Sequence, residues 1–368
     1  MDYFMPTRLF TGTACIQAHA EALVALGTKC LVVNDGQSAL DSGALDDVRC
    51  VLVEQGIEAV EWDGVTPNPP VSSCMKAGRI AATCGAQFVL GIGGGSSLDA
   101  AKAIAVFAAN PELDEQSFYA KAWQCEPLPI ALVGTTAGTG SEVTKVSVLT
   151  DSASRKHSIH DDRLYAAVAF GDSRHTHTCP PAVTLSCGVD VLAHATESYF
   201  SRKADDISRA FSVRAVRMAM GPLVAAAAGE KLSDEQRRQL YDASILGGLA
   251  INTTGTCFPH NVGYYLTENY GVPHGFASAI FLPVMLGYVH AGNAAYAQAF
   301  YDEVGTSEKD YVRIIEQCLP ELNIRMTEQQ IEDALPRWEN NGSVLNTCVD
   351  VSVQEIHYML RKMFVGQE

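Results

Sequence analysis

The chain is short of basic residues. Among 368 residues, 26 Lys and Arg face 42 Asp and Glu, a formal net charge of −16. Nucleic-acid binding needs clustered cations along the phosphate backbone, so no such partner is expected. A small anionic ligand stays open, because backbone N–H groups and a few local cations suffice for it. The 11 cysteines include no C-x-x-C pair. The start, "MDYFMPTRLFTGTACIQ", lacks the apolar segment of a signal peptide. Together these two absences point to a reducing cytoplasm rather than a disulfide framework. Long apolar runs are missing as well. The most apolar, "MAMGPLVAAAAG" from Met218, has about 12 residues, against ~20 for a membrane span. It reads as a buried helix, and no membrane partner is expected.

What is present is an ordinary globular composition, 47% hydrophobic and 18% charged. The length exceeds what one core usually holds, so two domains are expected. Up to about residue 180, short apolar runs alternate with helical patterns. "CLVVN" (30–34), "VRCVLV" (48–53), "AQFVLGIG" (86–93) and "PIALVGT" (129–135) read as buried parallel strands. "IQAHAEALVALG" and "PPVSSCMKAGRIAATCG" read as helices between them. That alternation predicts an α/β domain over 1–179. After Pro180-Pro181 only helix-period segments follow, which predicts an all-α domain over 180–368.

Two loops in the first half suit a nucleotide. "FVLGIGGGSSLDAAKAIAVFA" is a strand, a glycine-rich turn and a helix. Gly93, Gly94 and Gly95 permit close backbone approach, Ser96 and Ser97 can cap the helix, and Asp99 falls in its first turn. Such a helix start presents N–H groups to a phosphate. The turn could equally be a plain connection. It has no G-K-[ST] ending, and Ser96 stands where G-x-G-x-x-G needs its third glycine. "VGTTAGTGSEVTKVSVLTD" follows another strand and offers Thr135, Thr136 and Thr139 as hydroxyl donors, or continues into a hairpin. Asp35, at the end of the first strand in "LVVNDG", could accept from a ribose 2′-OH and repel a 2′-phosphate, or could simply make an Asp-Gly turn.

The second half holds a candidate metal site. "GVDVLAHATESYF" places Asp190 and His194 four residues apart, on one helix face. "HNVGYYLTENYGVPHG" is bracketed by His260 and His274, with 13 residues between them. One carboxylate and three imidazoles suit Fe²⁺ or Zn²⁺ better than Mg²⁺ or Ca²⁺. Beside a nicotinamide, such an ion would polarise an alcohol or carbonyl oxygen. His157, His160, His175 and His177 lie in polar stretches and read as surface histidines.

"GGGSSLDAAK", "TTAGTGSEVT", "CGVDVLAHATESY" and "HNVGYYLTENYGVPHG" together resemble the iron-dependent (group III) alcohol dehydrogenases, over roughly residues 35 to 275. The resemblance implies a dehydroquinate synthase-like fold: a Rossmann-like dinucleotide-binding domain with a parallel sheet, then a helical domain. It implies Asp190, His194, His260 and His274 as metal ligands. It places a dinucleotide pyrophosphate on Gly93, Gly94, Gly95 and Ser96, with Asp99 nearby, and lines the middle of NAD(H) with Thr135, Thr136 and Thr139. It puts Asn68, in "TPNPP", near the nucleotide, makes Asp35 the acid associated with NAD preference, and sets Lys156 near the nicotinamide ribose. Family members commonly carry a second histidine where Tyr264 stands, assigned to substrate positioning or proton relay. A tyrosine there can donate a hydrogen bond but is a poorer proton shuttle near neutrality.

The resulting expectation is a metal-dependent, NAD(H)-linked alcohol dehydrogenase or aldehyde reductase, with Fe²⁺ favoured and Zn²⁺ possible. Its partner would be a small alcohol or aldehyde, and a homodimer is the expected assembly. The "Y-x-LT" run after His260 also resembles the branch that reduces short aldehydes with an anionic group, such as phosphonoacetaldehyde or sulfoacetaldehyde. A glycerol dehydrogenase-like or dehydroquinate synthase-like enzyme is the alternative within the superfamily. For the synthase type, Asp190 as first ligand and the sparse lysines fit poorly. A non-catalytic NAD-binding protein is a third reading, disfavoured by the intact ligand set.

Overall fold

A computed structural model describes residues 3–365. It divides into two compact units: the chain up to Pro180 together with Ser233–Tyr241, and a second unit made of Pro181–Leu232 and the chain from Asp242 onward.

The first unit is built on a six-stranded parallel sheet. Its strands are β1 (Arg8–Thr11), β2 (Lys29–Val33), β3 (Glu58–Trp62), β4 (Phe88–Gly93), β5 (Ile130–Gly134) and β8 (Val168–Gly171), in the order β1-β8-β5-β4-β2-β3. A separate antiparallel hairpin pairs β6 (Val146–Thr150) with β7 (Lys156–His160). Alternate strand residues enter two different cores. Leu31, Val33, Val89, Leu132 and Ala169 face one side; Cys30, Val32, Leu90, Val133 and Phe170 face the other. Both faces are covered by helices, the doubly wound arrangement. The chain runs outward from β2 to β3, then returns past β2 to β4 and continues the other way. Strand order therefore reverses between β2 and β4, and the carboxyl ends of those two strands are where such sheets bind ligands.

Two local expectations are corrected. "VRCVLV" is not a strand but part of the helix Ala44–Glu54. Ala44, Leu45, Val48, Val51 and Leu52 along it are buried, a helical spacing, while Val53 is 80% exposed. Gly43 in the left-handed region opens it, with Asp46 and Asp47 in its first turn. "IQAHAEALVALG" is not one helix but two short ones, Cys15–Ala18 and Glu21–Val24. The short edge strands β1 and β3 and the buried β8 escaped sequence reading.

The second unit is helical. Its elements include Pro181–Tyr199, Asp206–Ala227, Phe258–Tyr270, His274–Ala279, Leu282–Gly292, Glu308–Cys318 and Val353–Phe364. The helix Asp234–Thr254 begins in the α/β unit and continues into this one. Asp206–Ala227 and His274–Gly292 are long and apolar enough to cross a membrane by length and composition, longer than the run noted in the sequence. The first carries Arg209, Arg214 and Arg217, and the second is interrupted between Ala279 and Leu282.

Candidate functional site

Pro181–Tyr199 is the central helix of the second unit, and every residue from Gly188 to Tyr199 is buried. A helix covered all round is expected to be apolar. This one instead carries Asp190, His194 and Glu197, at spacings of four and three, on one face. Buried ionisable groups need partners, and two neighbouring segments supply them.

His260 lies in the first turn of Phe258–Tyr270, a helix with Pro259 in its first turn and Gly271 in the left-handed region at its end. Val272 and Pro273 turn the chain, and His274 opens the next helix. The 13-residue spacing is thus one helix and one tight turn. Two glycines let these helices close up. A Cβ on Gly263 would stand 2.6 Å from the Ala277 carbonyl oxygen, and one on Gly275 only 1.8 Å from that of Ser186. No other residue fits at such approaches.

The result is a cluster around Asp190. Its Oδ1 is 3.5 Å from His260 Nε2 and 3.8 Å from His274 Nε2; its Oδ2 is 3.9 Å from His194 Nε2. Donor atoms of Asp190, His260 and His274 all lie within 4.8 Å of one another. The His194 and His260 rings stack at 4.7 Å. Asp190, His194 and His260 are almost fully buried, whereas the His274 side chain is 26% exposed. The cluster is therefore accessible from the His274 side. There Tyr264 stacks on His274, with centroids 5.4 Å apart and planes 27° apart.

Burial would raise the Asp190 carboxyl, but the three histidines outweigh it and hold it well below the usual carboxylate range. Burial would lower His260, but in the metal-free protein Glu197 and Asp190 outweigh it and hold the imidazole up at about 10, so an ion binding there displaces its Nε2 proton. Glu197 itself is pushed up by burial. Glu197 was not singled out in the sequence, yet its Oε1 meets His260 Nδ1 at 2.5 Å. The available signal was its place three residues after His194, on the same apolar face.

The residues fit a divalent ion. Asp190 Oδ1 and His260 Nε2 are buried and make no hydrogen bond. A carboxylate oxygen and an imidazole nitrogen left so cost free energy unless a cation completes them. One carboxylate and three imidazoles are the donor types of an Fe²⁺ or Zn²⁺ site. A second acid–histidine cluster, Asp47, Asp172 and His175, occurs in the α/β unit. There Arg174 already bonds Asp172 and approaches Asp47, so a guanidinium fills the place of an ion. His175 is correspondingly buried and 2.9 Å from Asp47 Oδ2, not a surface histidine, whereas His157, His160 and His177 are exposed.

The nucleotide loops belong to the α/β unit. β4 ends at Gly93, whose φ of +144° suits glycine, and the helix Gly95–Ala109 follows. Its cap is Gly94 with no side-chain bond, so Ser96 and Ser97 do not cap it. The first N–H groups of this 15-residue helix therefore keep no side-chain partner. The loop after β5 lies against it: Cβ atoms on Gly94 and Gly95 would meet Thr136 Oγ1 at 3.0 Å and Thr139 Cγ2 at 2.6 Å. Thr135, which is buried, donates its N–H to the Gly93 carbonyl. Asn68 adopts φ +52° and its N–H donates to Ser96 Oγ at 3.3 Å. Its carbonyl accepts from Thr150, the register partner of Lys156. Glycine loop, threonine loop, Asn68 and Lys156 are thus gathered at the carboxyl end of the sheet, with Asp35 just beyond β2, the neighbour of β4.

Two of these residues are already engaged. Asp99 accepts from Ser141 Oγ at 2.6 Å and from Val148 N–H at 2.9 Å. It ties the threonine loop and hairpin to the helix. Lys102, fully buried and missed in the sequence, donates to the Ser141 carbonyl and hydroxyl and to the Val146 carbonyl, each at 2.8 Å. Burial pushes its ammonium down to about 8. Asp35 accepts from Ala39 N–H and from the Ser38 hydroxyl, which makes it the cap of its own turn.

Residues 6–173 match the iron-containing alcohol dehydrogenase family and residues 184–356 match its C-terminal counterpart. This chain belongs to that family. It is 31% identical to long-chain-alcohol dehydrogenase 1 of Geobacillus thermodenitrificans over 91% of this chain and 86% of the relative. An iron-containing alcohol dehydrogenase from Thermotoga maritima superposes with a TM-score of 0.90 at 30% identity, over 98% of both chains. Sulfoacetaldehyde reductase from Bifidobacterium kashiwanohense, solved with NAD⁺, superposes at 0.84 with 26% identity, again over 98% of both. As an iron-containing alcohol dehydrogenase the chain is an oxidoreductase, and the α/β-then-α fold read from its motifs is the family's fold.

Proposed function

We propose that this chain is a metal-dependent, NAD(H)-linked alcohol dehydrogenase that also works as an aldehyde reductase, with Asp190, His194, His260 and His274 holding Fe²⁺. The observation that carries the reading is the buried Asp190 carboxylate faced by three imidazoles, with Oδ1 and His260 Nε2 lacking any hydrogen bond. A bound Fe²⁺ supplies Lewis-acid polarisation of the alcohol or carbonyl oxygen. The remaining work falls to the chain. Asp190 contributes the only negative charge of the set, so with three neutral imidazoles a bound Fe²⁺ would keep a net positive charge toward an oxygen ligand. Substrate reaches the set on the His274 side, where the Tyr264 ring stacks on His274. Gly93, Gly94, Gly95 and Ser96 receive the pyrophosphate on the helix N-terminus. Thr135, Thr136 and Thr139 follow along the dinucleotide, with Asn68 and Lys156 beside it. Asp35 selects NAD over NADP by repelling a 2′-phosphate, using lone pairs left over from its turn.

A second reading narrows the substrate to a short aldehyde bearing a sulfonate or phosphonate. It is favoured by the structural likeness to sulfoacetaldehyde reductase. One experiment separates the readings. Protein reconstituted with Fe²⁺ or Zn²⁺ is assayed for NADH oxidation with plain, hydroxylated, sulfonated and phosphonated short aldehydes. Turnover that needs metal and is lost in His260→Ala supports the dehydrogenase. Turnover that survives His260→Ala, or none with any metal, sinks it. A preference for the anionic members selects the second reading. In the same assay Tyr264→His should shift the balance toward simple alcohols if the phenol meets the substrate, and should change nothing if it only packs.

A further inference from the structure

We propose that Glu197 is the positioning residue of the metal centre: its carboxylate fixes the His260 tautomer so that Nε2 carries a lone pair toward the ion. The proposal rests on the metal-dependent reading above. Glu197 is fully buried, and both of its oxygens are committed. Oε1 meets His260 Nδ1 at 2.5 Å, and Oε2 accepts the Cys257 N–H at 2.6 Å. Cys257 is the cap residue of Phe258–Tyr270, so the carboxylate sits at that helix's N-terminal end, where negative charge is favoured. One side chain thus anchors both the start of the helix and the ring three residues into it.

The chemistry follows from donor and acceptor types. A neutral imidazole has one N–H and one lone pair, and which nitrogen holds which is set by the bond the other makes. A carboxylate can only accept, so Nδ1 must donate to Glu197. The lone pair is then on Nε2, which points to Asp190 Oδ1 at 3.5 Å and has no hydrogen bond of its own. The reverse tautomer would aim an N–H into the ligand set and leave two acceptors facing each other at 2.5 Å. A negatively charged acceptor also raises the basicity of the ligating nitrogen. Both Glu197 carboxylate oxygens are taken up by His260 and the Cys257 N–H, so it acts through His260.

The test uses the full chain stripped of metal and titrated with Zn²⁺ against a fluorescent chelator. Glu197→Gln keeps the shape but can present an amide N–H₂ to Nδ1, so the tautomer is no longer enforced. The expected result is a 10–100-fold weaker Zn²⁺ affinity, with the melting midpoint of the metal-free protein close to that of the parent. A merely structural role would instead lower the metal-free midpoint and leave affinity within about twofold, and that result overturns the proposal. Should the variant not fold, ¹⁵N-histidine NMR of the Zn²⁺-loaded parent decides: His260 protonated on Nδ1 supports the proposal, and protonation on Nε2 overturns it. A parent that binds no Zn²⁺ overturns the metal reading as well, whereas a parent and Glu197→Gln that bind alike overturn this inference alone.

Discussion

Gly275→Ala tests whether helix convergence builds the ligand set. The new Cβ would stand 1.8 Å from the Ser186 carbonyl oxygen and 3.0 Å from Asp190 Cβ. An ordinary contact needs ~3.5 Å, so the helix His274–Ala279 would have to retreat by roughly 1.7 Å, slightly more than one residue's rise. Its neighbour is backbone inside a buried helix, which cannot swing aside. Overpacking of this kind costs about 1–3 kcal/mol. The same retreat carries His274 away from Asp190, whose Oδ1 is now 3.8 Å from its Nε2. Metal–nitrogen bonds are about 2.0–2.1 Å, so a shift of that size takes His274 out of the set. Gly287→Ala is the control. It lies on an exposed helical position with nothing within 4 Å of a new Cβ, and should stabilise by about 0.5–1 kcal/mol. Urea unfolding of the metal-free protein and Zn²⁺ titration read both effects. The expectation is at least roughly tenfold weaker Zn²⁺ binding for Gly275→Ala, equal to about 1.4 kcal/mol, and none for Gly287→Ala. Parental Zn²⁺ affinity in Gly275→Ala would refute the convergence argument.

The α/β unit yields three further expectations. Gly95→Ala brings a Cβ to 2.6 Å from Thr139 Cγ2, so fluorescence titration should show NADH binding roughly tenfold weaker, about 1.4 kcal/mol; unchanged affinity would mean the two loops do not form the cradle. Lys102→Met leaves Asp99 without its ammonium and strips three oxygens of their donor, and should cost about 3–5 kcal/mol in urea unfolding, with a loss under about 1 kcal/mol counting against it. Glu142 is buried, accepts from Tyr241 at 2.7 Å, and is pushed up chiefly by burial. Its raised native pKa means stability held below the unfolded value of about 4.3 is lost as pH rises toward the native value. Glu142→Gln has no such loss, so its urea midpoint relative to the parent should move upward between about pH 4.3 and neutrality; movement the other way would show that Glu142 is ionised in the native state at the lower pH.

The division of the chain into a parallel α/β half and a helical half was legible because strand runs such as "FVLGIG" are apolar on both faces and stop at Pro180. The reading failed where β-branching competed with burial. Val48, Val51 and Leu52 look like a strand, yet their helical spacing and the Gly43 start decide the matter. Edge strand β3, "EAVEW", was invisible because only one neighbour covers it and its side chains stay mostly exposed. Asp190, His194, His260 and His274 were legible as a set because histidine and aspartate are rare in apolar helices. Glu197 and Lys102 were not, because a lone charge in a sequence looks like a solvated one until burial is known. Asp99 was legible as a position but not as a role, since its partners Ser141 and Val148 are more than 40 residues away in the chain.

The central claim is that Asp190, His194, His260 and His274 converge on one ion. Anomalous diffraction at the iron edge, from crystals of Fe²⁺-reconstituted protein, addresses it directly. The account predicts a single strong peak within about 2.0–2.2 Å of one Asp190 oxygen and of the three imidazole nitrogens. A peak elsewhere, for instance at Asp47, Asp172 and His175, or no peak in protein that oxidises NADH with an aldehyde, would contradict it.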